Sequence, residues 1–306
     1  MILTVTPNPC IDKTVFIDEL RVGTFMRAPR YTVIPGGKGT NVARAVRLMG
    51  RPATAMVIVG GHTGAHVVDL IRNQDRMDCV PVEVASPTRT ITTVLEEPIR
   101  RQTAFFEPGS QVTPEEYERT VETFRGAVTG MRVVAFSGTV SDPAIRTLYR
   151  DLIPIAKAAG ALTILDSHGP EFRLGLDSVP HMVKPNQAEL EELVEYKLDS
   201  DAARAKAIDH LHGVGIELVV LSLGKDGALV SRAGERFHVK PPAIQEVNPV
   251  GSGDALVAGF AIGLLEGMPL DPMARLGVAM GAANAMSWEI GHFTNAEVED
   301  IRVRIV

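Results

Sequence analysis

The sequence predicts an α/β protein in which a mostly parallel β-sheet carries helices on both faces and a small β-sheet lies over one end of it. From residue 53 onward, short β-rich runs alternate with helical patterns, which is typical of parallel strands joined by crossover helices. Two segments, 14–34 and 88–107, contain strand patterns without an intervening helix and break that alternation. The chain has 306 residues, enough for one large domain with a small appendage.

The elements of the large sheet are marked by composition and by helix ends. Five runs are predicted as its strands: Ala53–Val59, Arg132–Ser137, Ala161–Asp166, His181–Lys184 and Glu217–Ser222. The amphipathic pattern of 40–49 ends at Gly50, as expected for a helix with a glycine C-cap. Thr113, Pro114 and Glu116 supply an N-cap, a first-turn proline and the acid of a capping box, so another helix begins there.

The two remaining segments predict the small sheet. Residues 88–107 indicate a β-ribbon with a turn near Pro98, in which Thr90–Glu96 and Gln102–Phe106 pair as a hairpin. We expect this hairpin to join the strands of 14–34, as a sheet inserted into the chain and not strung on a linker.

This interpretation divides the chain into two parts. The small sheet, called the lid below, comprises 11–34 and 88–107, and the α/β core comprises 1–10, 35–87 and 108–306. An exposed lid with an apolar face favours a homodimer that pairs lid to lid.

Composition excludes several classes of function. The formal net charge is −6 and no lysine or arginine cluster is longer than a pair, so nucleic acid is not expected as a partner. No apolar run reaches the roughly 18–20 residues that cross a bilayer, and the first residues lack the layout of a secretion signal. With only Cys10 and Cys79, a disulfide framework is not expected, and we expect a cytoplasmic protein without a membrane partner.

The strongest chemical signal is the turn Asn248–Asp254, which enters the apolar stretch Ala255–Leu265. A helix start has free backbone N–H groups and a partial positive charge, and Gly251 and Gly253 let that backbone wrap closely around an anion. Asp254 beside such a site is suited to accept a proton from an attacking hydroxyl. It would equally serve as a first-turn acid that stabilises the helix dipole.

Two further groups suit a polar ligand. The run Gly36–Asn41 again stands at a predicted helix start, where Gly37 permits close approach, Lys38 supplies a charge and Asn41 an amide. It lacks the spacing of a P-loop, and a flexible loop with a solvated lysine is the alternative. Asp12, shortly after the first strand, is a candidate acceptor for sugar hydroxyls or a simple turn carboxylate.

Two more turns follow predicted strands. Asn186 and Glu189 share a helix face and suit a magnesium ion held through water, or form a simple capping box. Ser222, Gly224 and Gly227 belong to a glycine-rich turn that suits nucleotide phosphates or an ordinary hairpin.

Taken in order, NPCID, GGKGTN, KPNQAE, SLGKDG and NPVGSGD resemble the motifs of the ribokinase or PfkB family of sugar kinases, from Thr6 to the helix after Asp254. The NPxxD start, the GGKGxNVAR form and the KPN triplet are most similar to its hexose-phosphate branch, which contains 1-phosphofructokinase, tagatose-6-phosphate kinase and the minor 6-phosphofructokinase. The resemblance implies a ribokinase-like fold with a β-sheet lid and transfer from ATP with Mg²⁺ to a hexose monophosphate.

The resemblance also implies roles for the candidate residues. Asp254 is implied as the catalytic base, and the anion hole is formed by Gly251, Ser252 and Gly253. The sugar is bound by Asp12, Gly37, Lys38 and Asn41, and its phosphate by Arg89. ATP is bound by Asn186, Ser222, Gly224 and Gly227, and magnesium is organised by Asn186 and Glu189. Pro249 and Ser252 replace a hydroxyl residue and an alanine of the family's usual anion-hole motif, which bears on a nucleotide contact.

Alternatives remain at this point. An unphosphorylated sugar or a nucleoside is the rival acceptor, and a catalytically inactive nucleotide-binding regulator is the rival from another class. Fructose-1-phosphate, fructose-6-phosphate and tagatose-6-phosphate are not distinguished. Trp288 and the Met-rich helix near the end of the chain, with Met273, Met280 and Met286, are expected to fill the core.

Overall fold

The computed structural model describes residues 1–232 and 234–305, and within them thirteen strands form two sheets. The strands are β1 (Ile2–Thr6), β2 (Cys10–Ile17), β3 (Arg30–Gly36), β4 (Ala53–Gly60), β5 (Asp78–Val84), β6 (Arg89–Glu96), β7 (Arg101–Phe106), β8 (Val133–Ser137), β9 (Leu162–Asp166), β10 (Met182–Val183), β11 (Leu218–Ser222), β12 (Ala228–Arg232) and β13 (Glu235–Val239). All five predicted strands of the large sheet are present, the fourth shortened to two residues.

The large sheet has the order β13-β12-β11-β10-β9-β8-β1-β4-β5. Its strands from β11 to β5 run parallel, whereas β12 and β13 pair antiparallel at one edge. Because the parallel strands share one direction, their carboxyl ends meet at one edge, where ligands bind in open α/β sheets.

Helices cover both faces of this sheet. They are α1 (Lys38–Leu48), α2 (Gly61–Asp69), α3 (Pro114–Ala127), α4 (Leu148–Ala158), α5 (Gly169–Leu176), α6 (Gln187–Val194), α7 (Asp201–Val214), α8 (Ser252–Glu266), α9 (Leu270–Ala285) and α10 (Asn295–Arg304). Among the described residues, no helix is both long and apolar enough to cross a membrane.

Two hydrophobic cores result from the alternation of side chains along the strands. On β1, Ile2 enters the core shared with α1, α8 and α9, whereas Leu3 and Val5 enter the core shared with α3 and α4. α8 is buried over most of its length and packs on α9, where Gly259 allows close approach: a Cβ there would lie 2.5 Å from Gly277 Cα.

The predicted capping box of α3 is present, with the Thr113 side chain accepting from Glu116 N and Glu116 accepting from Thr113 N. The helix predicted at 40–49 begins two residues earlier, at Lys38.

The small sheet has the order β3-β2-β6-β7. β6 and β7 form the predicted antiparallel hairpin, joined through a 3₁₀ turn at Glu97–Ile99 that contains Pro98. β2 pairs antiparallel with β3 and parallel with β6. The fold is therefore the predicted one: a large, mostly parallel sheet between helices, with a small separate sheet.

Candidate active site

A cavity of about 1090 Å³ is lined by the carboxyl ends of the parallel strands, the start of α8 and one face of the small sheet. That volume lies at the upper end of the range of small-molecule sites, roughly 300–1,000 Å³. All the residues predicted for a site line it: Asp12, Gly37, Lys38, Asn41, Arg89, Asn186, Glu189, Ser222, Gly224, Gly227, Gly251, Ser252, Gly253 and Asp254. Five motifs spread over most of the chain thus meet at one place.

Asp254 occupies the third position of α8 and is buried, with 6% of its surface exposed. Its Oδ2 accepts a hydrogen bond of 2.8 Å from Asn41 Nδ2. Burial and the nearby Asp166 raise the pKa of Asp254 to about 6, against the opposing effects of Lys38, Asn41 and Lys184. A carboxylate with this pKa is mostly ionised at pH 7 and still basic enough to take a proton.

The turn before α8 leaves an anion site. Gly251, with φ of +81°, is the N-cap, and no side chain caps this end of the helix. Ser252 N donates to Pro249 O and Ala255 N to Gly251 O. The amides of Gly253 and Asp254 have no backbone acceptor among the described residues, so they are free for an anion.

Asn284 on α9 holds this turn in shape. Its Nδ2 donates to Val250 O at 2.8 Å and to Ser252 Oγ at 3.2 Å, and its Oδ1 accepts from Gly291 N at 2.8 Å. Ser252, which departs from the usual motif, thus contributes a hydroxyl that fixes the turn. Pro249 contributes its carbonyl to the same turn.

A cluster of charges lies beside the anion site. Asp166, at the end of β9, is fully buried, with Lys184 Nζ at 3.1 Å and Lys38 Nζ at 3.7 Å from its Oδ1. Asp166 is the main cause that raises the pKa of Lys38 above its ordinary value. A Cβ built on Gly253 would lie 3.7 Å from Lys184 Nζ, so this ammonium adjoins the free amides. Two lysines and the helix start therefore converge on the place where an anion would sit.

Sequence reasoning gave no role to Asp166 or Lys184. Both stand at the carboxyl ends of strands that were predicted, β9 and β10, and the rule that α/β sheets bind ligands at that edge was the signal that would have found them.

Asn186 and Glu189 form a capping box at the start of α6: Asn186 Oδ1 accepts from Glu189 N at 2.9 Å and Glu189 Oε2 accepts from Asn186 N at 2.8 Å. Glu189 Oε1 remains, 4.0 Å from Lys38 Nζ and 3.8 Å from His168 Nδ1. Within the described part of the chain, no three His, Cys, Asp or Glu side chains cluster as direct metal ligands. These residues fit a cation held through water, and Asp166 Oδ2, which accepts no hydrogen bond, lies at the same edge of the sheet.

Asp12 and Arg89 project from neighbouring strands of the small sheet, where β2 pairs with β6. Asp12 is a strand residue, not part of a turn, and burial raises the pKa of its carboxyl. Arg89 Nη2 donates to Asn8 O at 3.4 Å, but its Nε is buried without a partner. Among the described residues no carboxylate pairs with Arg89, so its charge is available to a ligand.

Apolar side chains also line the cavity, and the following are called its apolar wall: Pro242, Ile244, Val250, Ala282, Ile290 and Trp288. The expectation that Trp288 and the three methionines fill the core is confirmed for Met273 and Met280, which are fully buried. It is wrong for the other two: Trp288 is half-buried on this wall and Met286 is 39% exposed. Asn248 Nδ2 donates to Trp288 O at 3.0 Å, which ties the backbone of this segment to the turn before α8.

The turn Gly224–Asp226 joins the antiparallel strands β11 and β12, so it is a hairpin turn and also lines the cavity. Gly227 follows with φ of +82°, and a Cβ there would lie 2.0 Å from Val239 O, so a side chain is excluded at this position.

A buried acid beside an uncapped, glycine-rich helix start, two lysines and a cavity large enough for two ligands is the arrangement of a phosphotransferase. The chain belongs to the pfkB family of carbohydrate kinases, whose model matches residues 5–288. The resemblance inferred from the sequence is thereby confirmed, and the protein is a carbohydrate kinase.

Relatives and solved structures agree with this. The tagatose-6-phosphate kinase of Staphylococcus epidermidis is 32% identical over 304 residues, which cover 98% of this chain and 97% of that protein. Phosphofructokinase-2 from Escherichia coli, solved in complex with substrates and products, is 29% identical with a TM-score of 0.91, covering 99% of this chain and 98% of that one. Arabidopsis thaliana ribokinase, solved with ribose and ATP, matches with a TM-score of 0.78 at 20% identity over 98% of each chain, a likeness of fold alone.

Proposed function

We propose that the protein transfers the γ-phosphoryl group of ATP directly to a hydroxyl of a hexose monophosphate, with Asp254 as general base. The observation that carries this proposal is the junction in the cavity where Asp254, the free amides of α8 and the ammonium of Lys184 meet. The same cavity is also lined by the small sheet, with Asp12 and Arg89, and by the apolar wall with Trp288.

Asp254 acts on the acceptor. Asn41 occupies one oxygen of its carboxylate, and the other remains for the acceptor hydroxyl. As the phosphoryl group approaches, the carboxylate takes the hydroxyl proton, while the free amides of Gly253 and Asp254 and the ammonium of Lys184 stabilise the charge that develops. Closure of the lid excludes water from the reacting groups.

The acceptor half consists of Asp12, Gly37, Lys38 and Asn41 for the sugar hydroxyls, and Arg89 for the phosphate. A planar guanidinium binds two phosphate oxygens at once, and the buried Nε of Arg89 has no partner in the protein. An unpaired buried donor is costly, and an acceptor without a phosphate would leave it so. This favours a phosphorylated acceptor over a free sugar or nucleoside.

The names of the relatives favour the same acceptor class, because tagatose-6-phosphate kinase and phosphofructokinase-2 act on hexose phosphates by name. Fructose-1-phosphate, fructose-6-phosphate and tagatose-6-phosphate all fit this proposal.

ATP would lie with its base against the apolar wall and its phosphates along Asn186, Ser222, Gly224 and Gly227 toward the anion site. Mg²⁺, when bound, neutralises charge on the phosphate oxygens. Glu189 Oε1, which the capping box leaves free, and the second lone pair of Asn186 Oδ1 would hold it through water.

The lid, defined by 11–34 and 88–107, would pair with the lid of a second copy. Among the described residues, seven of the twelve exposed large hydrophobic side chains belong to it: Val22, Phe25, Met26, Tyr31, Ile99, Phe105 and Phe106. Such a concentration of apolar surface marks an interaction site.

Arg89→Gln tests the acceptor class. Steady-state ADP formation is measured with the three hexose phosphates and with free fructose, tagatose and ribose. We expect the wild-type protein to use a hexose phosphate, and the KM of Arg89→Gln for it to rise about 10–100-fold, the range for one charged hydrogen-bonded contact. Activity with free sugars should not change.

Arg47→Gln, on the exposed side of α1, is the matched control and should leave both KM values unchanged. An equal effect of Arg89→Gln on phosphorylated and free sugars would favour the neutral-sugar kinase. No ADP formation with any sugar would contradict the proposal altogether.

A further inference from the structure

Arg44 on α1 is buried, with 7% of its surface exposed, and its guanidinium donates on three sides. Nε donates to Asp75 Oδ2 at 2.9 Å, Nη1 to Asn41 Oδ1 at 3.1 Å and Nη2 to the carbonyl of Pro35. The three partners come from different segments: Asp75 follows the π-helical turn after α2, Asn41 lies one turn earlier on α1, and Pro35 is the last residue but one of β3. The rigid guanidinium fork is therefore held in one orientation.

This contact determines which way the Asn41 amide points. A guanidinium has only donors, so the amide end that faces Arg44 must be the oxygen. The NH₂ end then faces Asp254, to which it donates at 2.8 Å. In the flipped orientation two donors would face each other at Arg44, and a carbonyl oxygen would face the carboxylate of Asp254. Both contacts would be repulsive.

We propose that Arg44 is a positioning residue for phosphoryl transfer, which holds the Asn41 amide so that its NH₂ stays on Asp254. The proposal rests on Asp254 as the base, as set out above. Arg44 does not line the cavity, so it acts through Asn41. Its role is to keep one carboxylate oxygen occupied and the other directed at the acceptor hydroxyl.

The charged neighbours of these two residues define the electrostatic background. Asp254 is faced by Lys38, Asp166 and Lys184, and Arg44 by Asp75 and Asp12. The hydrogen bond from Asn41 lowers the pKa of Asp254, against the burial that raises it to about 6. If the amide is released, the pKa of Asp254 rises further, and the base is protonated over a wider pH range.

Arg44→Lys tests this, because lysine keeps the positive charge beside Asp75 but lacks the planar fork that holds Asn41. We expect the acid limb of kcat/KM to move up by about one pH unit, since one hydrogen bond to a carboxylate changes proton affinity roughly tenfold. Activity then falls about fivefold at pH 6 and little at pH 8. In an Asn41→Ala background, Arg44→Lys should add no further shift.

Arg275→Lys is the matched control: Arg275 also joins a carboxylate, Asp271, to a backbone carbonyl, that of Ile305, but outside the cavity. It should leave the limb in place. A loss in Arg44→Lys that is equal at pH 6 and pH 8, or a shift that persists without Asn41, would overturn the positioning role. If Asp254→Asn is inactive while folded Arg44→Lys behaves as wild type, this inference fails and the base assignment stands.

One measurement does not depend on whether Arg44→Lys folds. In the wild-type protein, ¹⁵N NMR should find the side-chain NH₂ protons of Asn41, assigned through Asn41→Ala, protected from solvent exchange. Exchange as fast as that of the exposed Asn295 would overturn the proposal.

Discussion

Replacing Asp254 with asparagine is expected to abolish most of the activity and to stabilise the protein. Asparagine keeps the shape of the side chain but cannot accept a proton, so turnover should fall by about 10²–10⁴. The pKa of Asp254 is raised from 3.8 to about 6, so the folded protein binds this proton more tightly than the unfolded chain. At about 1.4 kcal/mol for each tenfold change in proton affinity, the ionised carboxylate costs about 3 kcal/mol of folding free energy.

The sign of this effect follows from the protonation states. Below pH 3.8 the group is protonated in both the folded and the unfolded chain, so it contributes nothing. Between that value and about pH 6 the cost develops, and above it the cost is complete. In urea titrations at pH 7.5, the free energy of unfolding of Asp254→Asn should therefore exceed that of the wild-type protein by up to about 3 kcal/mol. This difference should shrink toward pH 4.

A first-turn acid that only stabilises the helix dipole would behave in the opposite way. Asp201→Asn at the start of α7 is the matched control, because that side chain is 99% exposed. The free energy of unfolding of Asp201→Asn should fall by about 0.3–1 kcal/mol, and its turnover should not change. If Asp254→Asn followed the control, with near-normal turnover and lower stability at pH 7.5, the reasoning about its burial and role would be refuted.

Two further predictions concern the anion turn and the lid. Gly251→Ala places a Cβ 2.5 Å from Ile290 Cγ2 at a φ of +81°, so it should lower the free energy of unfolding by about 2–4 kcal/mol and reduce turnover. Gly126→Ala is the control, because a Cβ there meets no atom within 4 Å, and it should change neither quantity. Equal stability of the two variants would contradict the tight packing of the turn. Phe25→Glu puts a charge on the exposed apolar surface of the lid and should convert a dimer into monomers in light scattering, while a wild-type monomer at micromolar concentration would contradict lid-to-lid pairing.

Local signals in the sequence were sufficient for much of the fold. The capping box at Thr113 and the helix start after Gly251 depend on residues within a few positions of each other, so the local sequence identifies them. Alternation of β-rich and helical runs was sufficient for the parallel sheet, because crossover connections leave that pattern in any sequence.

The parts that were missed depend on contacts between distant segments. Trp288 lines the cavity in a segment whose backbone is bound by Asn248, 40 residues earlier, and hydrophobicity carries no information on that contact. In the sequence, Arg44 is indistinguishable from other helix arginines, because its contacts with Asp75 and Asn41 depend on how the chain folds. Asp166 ends a strand, as many acids do, and its place in the site is recognised only from the ammonium groups of Lys38 and Lys184 beside it.

The pH dependence of kcat/KM, expressed for the dianion of the sugar phosphate and compared between the wild-type protein and Asp254→Asn, tests the account most directly. The wild-type value should rise through an apparent pKa of about 6 and level off above pH 7, and the residual activity of Asp254→Asn should lack that limb. A wild-type profile that is flat down to pH 5, or the same limb in both proteins, would contradict a buried Asp254 as the group that takes the proton.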